Sequence, residues 1–223
     1  MLSFGNVDFA YETHQIFTDL NYNLGPGEFN FLIGKSGAGK STMLQMIYMN
    51  LFPSSGVVQV AGYDSKTIKS RELPKLRRKV GIVFQDFKLL RDRNIYDNLS
   101  FVLEVTNMPR KEIKKRVNDV LTDVDLFHRR FGMPDELSGG EKQRIAIARA
   151  IINDPVLVLA DEPTGNLDPE TSGEILEILM KIHSRGTAIL FATHNYEIVK
   201  KHSDHKIIKL EDGKAVKAVL KQK

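Results

Sequence analysis

Apolar and polar positions divide the chain into alternating, continuous and helical-period stretches. Residues 2–9 alternate in part, with Leu2, Phe4, Val7 and Phe9 apolar, as a half-buried strand does. Residues 15–24 give a second strand-like run, and Pro26-Gly27 marks the turn after it. Phe29 to Ile33, Val80 to Phe84, Val156 to Ala160 and Thr187 to Ala192 are largely apolar runs. The run at 156–160 is unbroken, as a strand buried on both faces of a parallel sheet should be. Ser54-Ser55-Gly56 reads as a turn and Val57 to Ala61 as a short strand. Lys206–Leu210 and Ala215–Leu220 flank Asp212-Gly213 and read as a closing strand pair. Two strands ahead of residues 29–33 imply a small antiparallel sheet beside the parallel one.

Residues 92–152 have a helical pattern. Ile113, Val117, Val120, Leu121 and Val124 form one apolar stripe, and Pro109 suits a first helical position. Lys111, Lys114, Lys115 and Arg116 then lie on the wet face of that helix rather than in a nucleic-acid patch; no nucleic-acid partner is expected. Arg71 to Lys79 is likewise read as a solvated helix face. Ile175, Leu179 and Ile182 mark a later helix. The pattern as a whole is α/β, on one domain of 223 residues.

Composition adds limits. Hydrophobic residues are 42% and charged residues 27%, ordinary for a chain with a sizeable core. There is no cysteine, so disulfides and cysteine-held metals are excluded. No apolar run approaches the length of a membrane span, and the first residues do not read as a signal peptide. Residues 200–223 carry eight lysines against Asp204, Glu211 and Asp212. Without an aromatic or amphipathic anchor, this reads as a lysine-protected edge rather than a membrane tail.

The chemistry begins at Gly34-Lys35-Ser36-Gly37-Ala38-Gly39-Lys40-Ser41, between a strand and a helix. This is the G-x-x-x-x-G-K-S spacing of a phosphate-binding P-loop. Glycines let backbone N–H groups converge on an anion, and the helix beginning near Lys40 adds its positive end. Lys40 supplies charge for the β- and γ-phosphates, and Ser41 a hydroxyl for Mg²⁺. Gln85 ends the strand at 80–84, where open α/β sheets bind ligands. Ser138 is an N-cap candidate, and Gly139-Gly140 after it leave N–H groups open, a second anion site or simply a glycine-rich helix start. Asp161-Glu162 ends the strand at 156–160. In the P-loop context Asp161 is the expected Mg²⁺ partner and Glu162 the general base. His194, beyond the next strand, is either an ordinary polar residue or a contact to the γ-phosphate.

In this order the motifs resemble the ATP-binding-cassette (ABC) ATPases along the whole chain. The matching pieces are the P-loop, Gln85, the stretch Leu137-Ser138-Gly139-Gly140-Glu141 that resembles the family's signature, the Leu157–Glu162 strand end, Asn166-Leu167-Asp168 and His194. The resemblance implies a P-loop NTPase (RecA-like) core with a small antiparallel β subdomain and an inserted α-helical subdomain. Residues 1–88 and 155–223 would form the core lobe and 89–154 the helical lobe. It implies that Tyr11 stacks on adenine, and that Gly34, Lys35, Ser36, Gly37, Ala38, Gly39, Lys40, Ser41 and Thr42 hold phosphates. Ser138, Gly139, Gly140 and Asp168 would serve the nucleotide across a dimer. Lys40, Gln85, Glu162 and His194 would be the catalytic set, and Ser41, Gln85 and Asp161 the Mg²⁺ set. Pro163 to Asp168 and Phe84 to Leu90 are similar to the branch that holds lipoprotein-release, macrolide-export and cell-division ATPases, and Asp92-Arg93 favours the last. That branch implies ATP and Mg²⁺, a head-to-tail homodimer, a separate integral-membrane subunit and a cytoplasmic site on the inner face of the bacterial plasma membrane. Asn195 departs from the acidic residue many members carry there.

Overall fold

The computed structural model describes residues 1–218. The strands β1 (Leu2–Tyr11), β2 (His14–Leu24) and β3 (Phe29–Ile33) come first, followed by α1 (Lys40–Ile47). Then come β4 (Ser55–Val60), β5 (Tyr63–Asp64), α2 (Leu73–Arg78) and β6 (Val80–Val83). A helical stretch holds α3 (Ile95–Glu104), α4 (Arg110–Asp123) and α5 (Gly139–Ile151). The chain returns through β7 (Leu157–Asp161), α6 (Pro169–Ser184), β8 (Ala188–Thr193), α7 (Tyr196–Lys201), β9 (Lys206–Glu211) and β10 (Lys214–Ala218). The Val219-Leu220 end expected for the last strand lies outside the described residues.

Two sheets result, ordered β2-β1-β4-β5 and β10-β9-β3-β8-β7-β6. The first is antiparallel; in the second, β9, β3, β8, β7 and β6 run parallel and β10 pairs antiparallel at the edge. The period-2 alternation of strands explains the continuous apolar runs. Phe31, Phe191, Val158 and Ala160 face a core shared with α3 to α6, while Leu32, Leu190, Leu157 and Leu159 face a core shared with α1 and the antiparallel sheet. Both faces are covered, so neither can be polar.

The helical stretch is less continuous than its pattern implies. Two short 3₁₀ turns, at Phe127–Arg129 and Pro134–Glu136, separate α4 from α5, and Gly132 and Pro134 account for the break. Pro109 is the N-cap of α4 rather than its first helical residue, with extended backbone (ψ 138°). The α4 stripe is buried throughout. Each such side chain contributes about 1.5–3 kcal/mol by leaving water. β4 begins at Ser55, so the turn expected at 54–56 is already partly strand. Two elements were not foreseen. β5 is only two residues long, reached through a tight turn with positive φ at Ala61 and Gly62. α7 is a six-residue helix capped by Asn195, which accepts from the Glu197 and Ile198 N–H groups.

Candidate nucleotide site

β3 ends at Ile33 and the chain turns through Gly34–Gly39 into α1. Gly39 has φ 94°, and a Cβ there would lie 2.8 Å from Ile16 and Phe17, so only glycine fits. No side chain caps α1. Its first N–H groups are therefore left for an anion at the positive end of the helix. The Lys40 ammonium is buried and donates to the Gly34 carbonyl (2.9 Å) and the Lys35 carbonyl (3.4 Å). The loop thus holds the charge at its own mouth.

The carboxyl ends of β7 and β8 bring three more groups to this point. Glu162 has left-handed backbone (φ 47°), a strained choice for a non-glycine residue. Its N–H donates to the Ala192 carbonyl, which ties the turn to β8. The carboxylate is largely buried, 3.5 Å from Lys40 Nζ and 2.9 Å from His194 Nδ1, and it accepts the His194 N–H at 3.1 Å. Asp161 is pushed above the usual carboxylate range, first by burial and then by the charge of Glu162, against the Ser41 hydroxyl and Lys40. Ser41 and Asp161 are hard oxygen donors side by side, and a partly desolvated carboxylate gains from a cation. This donor set fits Mg²⁺.

A cavity of about 670 Å³ gathers Tyr11, Ser36, Gly37, Gly39, Lys40, Ser41, Thr42, Gln85, Glu162 and His194. Gly34, Lys35, Ala38 and Asp161 are not among the residues that line it. His14 and Ile16 also line it; β1–β2 pairing brings them there beside Tyr11, and no motif marks them. Tyr11 is half exposed, packed edge-on against Phe9, with its hydroxyl 3.4 Å from the Thr42 hydroxyl. The Gln85 amide donates to Asn166 Oδ1 (3.4 Å), linking the end of β6 to the loop after β7.

Ser138, Gly139, Gly140 and Asp168 lie in a different hollow of about 470 Å³, which shares no lining residue with the first. Ser138 caps α5 in a reciprocal box: its hydroxyl accepts from the Glu141 N–H (3.2 Å), and Glu141 accepts from the Ser138 N–H (2.8 Å). The N–H groups of Gly139 and Gly140 point out of the helix start without intrahelical partners. Asp168 caps α6, accepting from the Glu170 and Thr171 N–H groups and from the Thr171 hydroxyl (2.6 Å).

A family model described as ABC transporter matches residues 17–165. This chain belongs to the ABC transporter family. The cassette is similar to the cell division ATP-binding protein FtsE of Bacillus subtilis strain 168, at 49% identity over 87% of this chain and 85% of that protein. Against the protein of the same name from Escherichia coli K12, identity is 41% over 96% of both. Among solved structures, the cassette superposes with a TM-score of 0.87 and 33% identity, covering both chains fully, on a dimeric ATP-binding cassette bound to ADP and Pi. A cassette from Clostridium perfringens, part of an ABC transporter complex, gives a TM-score of 0.88 at 30% identity, over 96% of this chain and 86% of that one. The α/β architecture expected of an ABC ATPase is therefore the observed one.

Proposed function

We propose that this cassette hydrolyses ATP as an FtsE-like subunit in bacterial cell division. One observation carries the chemistry: the Glu162 carboxylate stands between Lys40 and His194 at the mouth of an uncapped helix start. Tyr11 offers a π face to adenine. The P-loop N–H groups and Lys40 hold the phosphates. Glu162 takes the proton of the attacking water, and His194 keeps its carboxylate oriented. Ser41, Gln85 and Asp161 would hold Mg²⁺, which supplies charge stabilisation to the phosphoryl oxygens when bound. Catalysis by these groups is positioning and electrostatics.

The relatives' shared name favours cell division over lipoprotein release or macrolide export. In this reading two chains meet head to tail, each offering Ser138, Gly139, Gly140 and Asp168 to the other's nucleotide. Residues 89–154 form the helical lobe, which carries Ser138 at the start of α5. An FtsX-like integral-membrane subunit holds the dimer at the cytoplasmic face of the plasma membrane. Among the described residues no helix is long and apolar enough to cross a membrane, which leaves that task to the partner. The experiment has two parts. Purified chain should release phosphate from Mg-ATP, and Lys40→Ala should lose ATP binding by titration calorimetry. Affinity capture from detergent-solubilised membranes should retain one integral-membrane protein. Capture of a lipoprotein-release or drug-export subunit instead would overturn the cell-division assignment.

A further inference from the structure

The turn after Gln85 carries an unusual load of strain. Phe87 and Lys88 are consecutive non-glycine residues in left-handed backbone, at φ 58° and 49°. Such residues persist only where their surroundings hold them. Local bonds are few: the Phe87 N–H reaches the Phe84 carbonyl at 3.4 Å, and the Lys88 N–H the Asp86 carbonyl at 2.6 Å. The holding group comes from elsewhere in the chain. Arg149, in the last turn of α5, donates to the Lys88 carbonyl (2.5 Å) and the Phe87 carbonyl (2.7 Å). The two bonds make a fork across both strained residues, a geometry a planar guanidinium provides and an ammonium does not. Burial pushes the Arg149 pKa down, and the charge of Asp86 pushes it back.

α5 is also the helix that Ser138 caps. Ser138 and Arg149 are eleven residues apart, about 16 Å along one rigid rod. One end of that rod bears the signature hollow. The other grips the turn that follows Gln85, which lines the nucleotide cavity.

We propose that Arg149 is a positioning residue for ATP hydrolysis: it clamps the Phe87–Lys88 turn to α5, so that displacement of α5 at the signature end is transmitted to Gln85. This rests on the proposed ATPase activity. Arg149 touches neither the P-loop nor Glu162, so its loss should spare nucleotide binding.

The test compares wild type, Arg149→Met and Arg149→Lys for ATP dissociation constant, kcat, and amide hydrogen exchange over residues 86–90. We expect Arg149→Met to keep the dissociation constant within about twofold, to lower kcat about tenfold and to speed exchange at 86–90. Arg149→Lys, able to reach one carbonyl, should fall between, and it stands in for the Met variant if that fails to fold. Unchanged exchange at 86–90 or an unchanged kcat in Arg149→Met, or an Arg149→Lys variant no better than Arg149→Met, would each overturn the clamp. If wild type itself releases no phosphate, the ATPase reading fails, and the exchange comparison still decides whether Arg149 holds the turn.

Discussion

Glu162 and Asp161 are adjacent carboxylates with opposite surroundings. Glu162 is held by Lys40 and the His194 N–H, whereas Asp161 is desolvated beside Ser41. Glu162→Gln keeps the shape and removes the base, so ATP should still bind while turnover falls about 10²-fold or more. Steady-state phosphate release near the wild-type rate would sink the general-base assignment. The raised pKa of Asp161 has a stability consequence of definite sign. The folded chain keeps that proton to higher pH than the unfolded chain, so stability declines as pH rises through the window between the two pKa values. Asp161→Asn removes this cost. Its Tm near neutral pH, in chelator and without nucleotide, should exceed that of wild type, and the gap should close as pH falls below the raised pKa. With Mg-ATP the order should reverse, because wild type alone gains full binding stabilisation. A variant less stable than wild type in chelator would show that Asp161 is a structural asset instead.

At the level of elements, the start of α5 is seated on the start of α6. A Cβ on Gly140 would lie 2.5 Å from the Thr171 methyl, and one on Gly139 3.3 Å from Leu167. Thr171 is in turn bonded to Asp168, so the signature and the Asp168 loop form one packed unit. Gly140→Ala should cost about 1–3 kcal/mol by overpacking. For a chain of this size that is a Tm loss of several degrees. Thr171→Ser deletes the offending methyl and should restore most of it; no restoration would place the clash elsewhere. This seating was not readable from the chain, although both motifs were. The parallel strands were legible because burial on both faces leaves unbroken apolar runs, and the P-loop because its spacing follows from phosphate geometry. Ser138 was legible as a cap from residue type alone. Contacts between distant segments leave no such periodic mark. Arg149 reads as one more basic residue near a helix end, His14 and Ile16 as strand positions, and the left-handed backbone at Glu162 as nothing at all.

The whole molecule keeps the starts of α1 and α5 apart. α1 opens into the cavity with Tyr11, Lys40 and Glu162, while α5 opens into a hollow with Asp168 and shares no lining residue with the first. A single nucleotide in one chain therefore cannot use both. In the proposed head-to-tail pairing, the Ser138 hydroxyl and the Gly139 and Gly140 N–H groups of one chain would meet the γ-phosphate held by the other. Hydrogen bonds to a charged group contribute roughly 1.5–3 kcal/mol each, so several of them at two sites are enough to make ATP the adhesive. Losing the γ-phosphate removes them together, and the pair should open. In sedimentation velocity, Glu162→Gln with Mg-ATP should run as a dimer, and with Mg-ADP or no nucleotide mostly as a monomer. Adding Ser138→Arg places a bulky side chain at the exposed N-cap of α5 and gives up the Ser138–Glu141 box; Tm should fall by a few degrees, while the Mg-ATP sample should return to monomer with the far-UV circular dichroism unchanged. A dimer that survives Ser138→Arg would mean that the α5 start does not face the nucleotide of a second chain.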